Sequence, residues 1–312
     1  MKRTQKEFIP VMLTPFKNNG AIDYDALTKL SSYYIESGAA GLFANCLSSE
    51  MYELTDSERL KLIKKTVGAA EGLVPVVATG TFAGTIEEQA DFVKKVYDLG
   101  VKAVIVITSL MASEQDTEQV FHQNVMKLIS LTDNIPLGFY ECPVPYKRII
   151  STKVLGDFVE TGRVKYHKDT CLNIHMIRDK IAATKGHSFG LYDAYMGHAV
   201  ASLKAGSAGL SCIQGNFFPE LVVWLCRNYD DENLKEEVEL AQQFFSKNMD
   251  VVHRVYPIIS KYYLQQRGVD ITTFTRRNDY GVFDETIKSK MDKLAKNYNI
   301  LKEKLDLKIA TV

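Results

Sequence analysis

Residues 98–108 read DLGVKAVIVIT: a glycine stands where a helical run ends, and a dense Val/Ile stretch follows it at once. A glycine in that place closes a helix in a left-handed turn. The apolar stretch lacks polar alternation, as a parallel strand covered on both faces does. The same phrase recurs in ESGAAGLFAN (36–45) and KAGSAGLSCI (204–213), and in the proline-entered variants EGLVPVVATG (71–80) and DNIPLGFYE (133–141). Strands are expected near Val11, Phe43, Val77, Ile105, Gly138, Tyr166, Phe189 and Leu210. Amphipathic helices are expected between them over 23–37, 56–70, 85–99, 116–131, 152–160, 174–183 and 193–204. Thr85 and Glu88 carry the spacing of a capping box. Repeated strand–loop–helix units of this length predict an α/β fold, a (β/α)8 TIM barrel, rather than an open doubly wound sheet. No G-x-G-x-x-G follows the first strand, which speaks against dinucleotide binding.

Beyond Phe217 the texture turns helical, with helices expected over 219–228, 231–247, 249–267 and 284–306. No linker rich in Gly, Ser or Pro intervenes. The expected organisation is a catalytic barrel over 1–225 and a helical extension over 226–312 packed on it.

Lysine plus arginine (38) balances aspartate plus glutamate (38) in the 312 residues, of which 46% are hydrophobic and 24% charged. A pI near 7.0 points to neither nucleic acid nor an anionic membrane as partner. The opening MKRTQKEF has no apolar stretch behind it, so no signal peptide is expected, and no apolar run reaches the roughly 20 residues of a membrane span. Five scattered cysteines without a C-x-x-C pair predict neither a disulfide framework nor structural zinc, and suggest a reducing cytoplasm.

In a barrel of this kind the chemistry collects at the C-terminal ends of the strands. Lys168 stands at the end of strand six in VKYHKDT (164–170), Tyr140 at the end of strand five, and Ser48 and Ser49 close strand two. Strands five and six lie about 4.8 Å apart if adjacent, so Lys168 and Tyr140 can meet. A neutral lysine amine attacks a keto group and forms an iminium that draws electrons from the neighbouring carbon. Burial lowers the amine pKa toward that neutral form, a tyrosine hydroxyl shuttles protons, and serine hydroxyls with helix-start N–H groups hold a carboxylate. Each residue alone has a plainer reading: a solvated lysine, a core tyrosine with a wet hydroxyl, a serine cap. Their convergence on one barrel end favours the catalytic reading.

These residues carry a family resemblance. VMLTPFKNNGAIDYDAL (11–27), SSEMYELTDSER (48–59), VVATGTFAGTIEEQADFVKKVYDLGVKAVIVIT (76–108), FYECP (139–143), VKYHKDT and AGSAGLSCIQGNFFPEL (205–221) appear in the order of the corresponding motifs of the dihydrodipicolinate synthase and N-acetylneuraminate lyase family. The chain resembles these pyruvate-type class I aldolases from about residue 8 to 225, and YPIISKYYLQQRGV (256–269) extends the likeness. The resemblance implies that Lys168 forms the Schiff base and that Tyr140 transfers protons. It implies that Ser48 and the Ser49 N–H bind the keto acid's carboxylate, with Cys212 and Ile213 also lining the substrate. It implies no cofactor, no metal, a 2-keto acid and an aldehyde as small-molecule partners, and a homo-oligomer, tetramer or dimer.

The departures are specific. Leu47 stands for the first threonine of the carboxylate loop; TSLMASE (108–114) has Leu110 and Met111 and lacks the inter-subunit tyrosine; Pro145 replaces an arginine, with Lys147 and Arg148 following. Lysine biosynthesis is therefore not the expected role. Glu141 replaces the usual asparagine, as a substrate-binding polar arm, an extra acid/base group or a solvated rim carboxylate. The expected activity is cleavage or formation of a C–C bond beside the pyruvyl unit of a 2-keto acid of sugar-acid type. A Schiff-base dehydratase and a silent keto-acid-binding protein are the alternatives. A metal at Cys46, Cys142, Cys171 or Cys212, with His122, His167 or His198, has no ligand spacing to support it.

Overall fold

A computed structural model describes residues 5–278 and 281–307; the first four residues of the charged N-terminus lie outside it. Eight parallel strands form one sheet in the order β1-β8-β7-β6-β5-β4-β3-β2. They are β1 (Glu7–Phe8), β2 (Leu42–Ala44), β3 (Val76–Thr79), β4 (Ala103–Ile107), β5 (Leu137–Tyr140), β6 (Val164–Asp169), β7 (Gly190–Asp193) and β8 (Gly209–Leu210). A parallel bridge from Val11 to Phe43 joins the two ends of the sheet, with Met12 N–H donating to Phe43 O at 2.9 Å. The expected TIM barrel is thus present.

The first strand sits earlier than expected. Its ladder with β8 covers only Glu7 and Phe8, closed by Ile9 N–H donating to Leu210 O at 3.0 Å; Val11 then pairs alone with β2. The seventh strand starts at Gly190, one residue beyond the Phe189 expected at its centre.

Helices α1 (Tyr24–Glu36), α2 (Asp56–Ala70), α3 (Ile86–Tyr97), α4 (Glu118–Leu131), α5 (Thr152–Glu160) and α6 (Ile174–Ala183) begin where a side chain satisfies their free N–H groups. Asp23 caps α1, and Thr85 caps α3 in the expected capping box; Thr55, rather than Asp56, caps α2. The helix expected over 193–204 is shorter. Asp193 stays in β7, its Oδ1 accepting from Tyr195 N–H at 2.8 Å, and α7 runs only from Ala199 to Ala205.

Two layers of apolar side chains result from the period-two alternation of the strands. Phe43, Val77, Ile105, Ile107, Tyr140, Tyr166 and Tyr192 fill the barrel interior. Leu42, Val76, Val104, Val106, Leu137 and Phe139 face the helices. Gly138 makes the interior fit: a Cβ there would lie 2.6 Å from Ile105 Cδ1 and 2.9 Å from Tyr166 Cβ.

Helix α8 (Pro219–Asn228) spans the expected boundary at 225, and the extension continues with α9 (Lys235–Lys247), α10 (Met249–His253), α11 (Ile258–Gln266) and α12 (Glu285–Lys304). The single helix expected over 249–267 is two, since Pro257 cannot continue the hydrogen-bond ladder. The helix expected from 231 begins at Lys235, after a 3₁₀ turn over Glu232–Leu234.

Candidate active site at the barrel mouth

Strand register places Lys168 directly between Tyr140 on β5 and Tyr192 on β7. Its side chain points inward, with Nζ 4.2 Å from the centre of the Tyr140 ring and 5.8 Å from that of Phe43. Only 3% of Lys168 is exposed. Among the described residues no carboxylate pairs with its amine and no hydrogen bond engages it. Burial lowers its pKa, against the opposing pull of the Cys46, Cys142 and Cys212 thiols around it. That answers why a lysine ends a buried strand: an unpaired amine in this apolar enclosure is held toward its neutral, nucleophilic form. Tyr140 packs edge-on to Phe43 at 5.8 Å. Burial pushes its phenol well above the usual range, with the Cys142 thiol adding to the shift, so Tyr140 keeps its proton.

The two serines behave differently. They lie in a 3₁₀ turn over Leu47–Ser49, after Asn45 in the left-handed region (φ 51°). Ser49 Oγ donates to Met12 O at 2.7 Å and accepts from Cys46 N–H at 3.1 Å, while its own N–H donates to Cys46 O at 2.9 Å. Both donors of Ser49 are therefore engaged in holding the turn. Ser48 instead meets the phenol of Tyr256, which accepts from Asn216 Nδ2 at 2.6 Å; Asn216 Oδ1 in turn accepts from Tyr34 at 2.6 Å. Cys212 is buried, with its thiol pushed up to about 12 by burial. Ile213 is half-buried and packs on the inner cluster that contains Tyr140.

Glu141 departs from the expected rim position and is not a substrate arm in this geometry. It is fully buried on the outer face of the sheet. Its Oε1 accepts from Ile150 N–H at 3.1 Å and from Lys180 Nζ at 2.6 Å, and its Oε2 accepts from Thr170 N–H at 3.0 Å. The physical reason is alternation: Tyr140 points inward, so its neighbour points out. Arg148 is similarly committed, donating to Asp116 O at 3.1 Å and to Tyr146 Oη at 2.8 Å. Lys147 is exposed and donates to Thr170 O at 3.0 Å, two residues beyond Lys168.

Sequence reasoning missed Tyr256, Asn216, Lys180 and Lys261. Lys261 Nζ reaches Glu50 Oε1 at 2.8 Å, tying α11 to the turn that carries Ser48. Glu50 also accepts from Thr275 Oγ1 at 2.7 Å and Arg276 N–H at 2.8 Å. Asn216 stands in the Asn-x-x-Pro motif, and Tyr256 and Lys261 both lie in YPIISKYY; these three had a motif signal, whereas Lys180 had none.

Among the described residues one group has the spacing to hold a metal ion: Glu141, His167 and Asp169, with ligand atoms within 4.8 Å of one another. The Lys180 ammonium already lies 2.6 Å from both carboxylates. Of the residues weighed as metal ligands from sequence, His167 alone belongs to this group. All five cysteines are free thiols. No helix among the described residues is long and apolar enough to cross a membrane.

Comparison with known proteins agrees with this fold. Residues 4–298 match the sequence model of the dihydrodipicolinate synthetase family. A 4-hydroxy-tetrahydrodipicolinate synthase of Clostridium novyi is 24% identical over 264 residues, 83% of this chain and 86% of the relative. YagE of E. coli K12, a dihydrodipicolinic acid synthase family protein solved in complex with pyruvate, superposes with a TM-score of 0.84 at 19% identity, over 94% of this chain and 98% of that one. The chloride-inhibited dihydrodipicolinate synthase of Acinetobacter baumannii, also complexed with pyruvate, gives 0.83 at 20% identity, over 95% and 100%.

Proposed function

The chain belongs to the dihydrodipicolinate synthetase family and is by that membership a lyase of the class I aldolase type; from this premise we propose that Lys168 condenses with a 2-keto acid and that the bond beside the pyruvyl unit is then cleaved or formed. The observation that carries the reading is the unpaired, buried amine of Lys168, 4.2 Å from the Tyr140 ring. Lys168 attacks the keto carbon as a free amine, and water leaves. The resulting iminium accepts the electron pair released when the adjacent bond breaks. Tyr140, which keeps its proton, delivers and recovers the proton that these steps move. Ser48, set by Tyr256, receives the carboxylate of the keto acid.

A sugar-acid-type substrate is the finer proposal. The exposed Lys147, beside the loop that follows Lys168, supports an acidic or polar distal arm. The barrel over 1–225 carries the chemistry, and the extension over 226–312 props the carboxylate turn, a division supported by the Lys261–Glu50 and Tyr256–Asn216 contacts. Five free thiols support a reducing, cytoplasmic setting. Self-association as a dimer or tetramer belongs to the same proposal and is read by sedimentation.

The test is borohydride reduction in the presence of pyruvate, followed by peptide mass mapping. A reduced adduct on Lys168 is expected. A folded protein that gives no adduct with pyruvate or with longer keto acids overturns the reading. With a positive result, release of pyruvate plus an aldehyde from sugar-acid candidates separates an aldolase from an enzyme that only expels water.

A further inference from the structure

The turn proposed to receive the carboxylate offers a single side-chain hydroxyl. A keto acid presents two carboxylate oxygens, but over Leu47–Ser49 only Ser48 has a hydroxyl to give: Leu47 carries none, and that of Ser49 donates to Met12 O. Against Ser48 stands the phenol of Tyr256, from the segment between α10 and α11.

The hydrogen bonds around Asn216 fix which way this phenol works. Asn216 is fully buried and every donor of its amide is engaged. Its Oδ1 accepts from Tyr34 Oη at 2.6 Å, and the two Nδ2 hydrogens go to Val11 O at 2.9 Å and to Tyr256 Oη at 2.6 Å. Turning the amide over would set Oδ1 against the Val11 carbonyl oxygen, acceptor against acceptor, so its partners settle its orientation. Tyr256 Oη is thus the acceptor in this bond, and its own hydrogen is directed elsewhere. Among the described residues no carbonyl or carboxylate accepts from the phenol of Tyr256 or from the hydroxyl of Ser48. The two hydroxyls have only each other: one hydrogen bridges them and the second is free.

The phenol also lies in the right enclosure. The Cys46 and Cys212 thiols around the Lys168 amine neighbour the Tyr256 phenol as well. The ring edge of Tyr256 reaches the surface while its hydroxyl end is enclosed, and burial pushes the phenol well above its usual range, so it keeps its hydrogen. The ring packs on Phe217 at 6.4 Å. Val255, immediately before it, is held at φ 50°, a left-handed conformation that a β-branched residue rarely adopts.

We propose that Tyr256 is a substrate-binding residue: with Ser48 it forms a pair of hydroxyl donors that takes the two oxygens of the keto acid's carboxylate, so the extension completes the substrate site of the barrel. The role rests on Lys168 being the Schiff-base residue. When the carboxylate arrives, the hydrogen that bridged the two hydroxyls turns to it, and each hydroxyl donates to one oxygen. Asn216 keeps donating to Tyr256 Oη from behind and strengthens the phenol as a donor.

Tyr256→Phe removes the hydroxyl and keeps the ring on Phe217. Borohydride trapping is followed against pyruvate concentration and, in parallel, with acetone, a ketone without a carboxylate. The pyruvate concentration for half-maximal trapping is expected to rise about ten- to a hundredfold, the loss of one hydrogen bond to a charged group. The limiting rate with pyruvate and the rate with acetone should change far less. An unchanged half-saturation in a folded variant, or equal losses with pyruvate and acetone, overturns the proposal and leaves the Schiff-base reading standing. A crystal structure of the reduced pyruvate adduct of the unaltered protein tests the same point without a variant. A carboxylate oxygen within hydrogen-bond reach of Tyr256 Oη is expected, and a carboxylate bound elsewhere overturns the proposal. Absence of any adduct in the unaltered protein, with pyruvate or longer keto acids, removes both readings.

Discussion

Tyr140 and Lys168 are direct partners across β5 and β6, and the amine of one sits over the ring of the other at 4.2 Å. The ring and the hydroxyl therefore have separable tasks. Tyr140→Phe keeps the face under Lys168 and the edge-on packing with Phe43 while removing the proton donor. Borohydride trapping of pyruvate is expected to persist, with turnover falling about 10²–10⁴-fold. Loss of both together in a folded variant would assign the hydroxyl to imine formation instead.

Lys168→Met removes a buried amine and replaces it with an apolar side chain of similar length. Trapping is expected to vanish and the melting temperature at pH 7 to rise. The sign follows from linkage: burial lowers the folded-state pKa below the 10.5 of a free lysine, so the unfolded chain binds more protons. The native protein then gains stability as pH climbs between the lowered value and 10.5, and the advantage of the methionine variant should shrink over that window. In the unaltered protein the trapping rate should rise with pH and level off below the pKa of a free lysine. A melting temperature that falls at neutral pH would mean that the amine has a stabilising partner.

Much of this was legible in the sequence, for identifiable reasons. The glycine-then-apolar phrase marks the end of a helix and the start of a covered strand, so β2, β4 and β8 were placed by local chemistry. Lys168 and Tyr140 followed once strand ends were known, because both lie on inward positions. Glu141 was misplaced because a motif position was read without its pleat; one residue after an inward tyrosine, a side chain must face out. Lys180 carries no motif, and its partners Glu141 and Asp169 lie on two different strands; Lys261 lies in YPIISKYY, but its partner Glu50 is 211 residues away along the chain and only the closed barrel brings the two together. Pro257 marks the break between α10 and α11, in a stretch whose apolar pattern alone suggests one helix.

Lys261→Met should show that the extension supports the mouth. Its ammonium is buried against Glu50 at 2.8 Å and donates to Phe274 O at 2.7 Å. Burial opposes its charge and Glu50 sustains it. Removing the lysine alone leaves a buried carboxylate without its cation, which costs about 3–5 kcal/mol. Urea denaturation should show that loss, and part of it should return in the double variant Glu50→Gln/Lys261→Met. Because Glu50 adjoins Ser49 in the turn, the single variant should also weaken pyruvate binding. A double variant less stable than either single would contradict the pairing.

The Glu58–Arg276 pair makes a further tie between α2 and the segment after α11, and its pH dependence isolates it. Arg276 Nη2 and Nη1 reach Glu58 Oε1 and Oε2 at 2.6 and 2.9 Å. Those bonds lower the Glu58 pKa from 4.5 to about 2, burial opposing and the Thr55 N–H assisting. The carboxylate's contribution is fully present above pH 4.5 and is lost as pH falls toward 2. Both side chains are partly exposed, 27% for Glu58 and 23% for Arg276, so solvent screening holds the pair to about 1 kcal/mol. Glu58→Gln keeps one acceptor, enough for the capping box with Thr55, and removes the charge and one of the two bonds from Arg276. Its stability deficit should therefore be small at pH 7, smaller in high salt, and absent near pH 2 by chemical denaturation. A deficit that persists unchanged at pH 2 would assign the effect to the helix cap rather than to the ion pair.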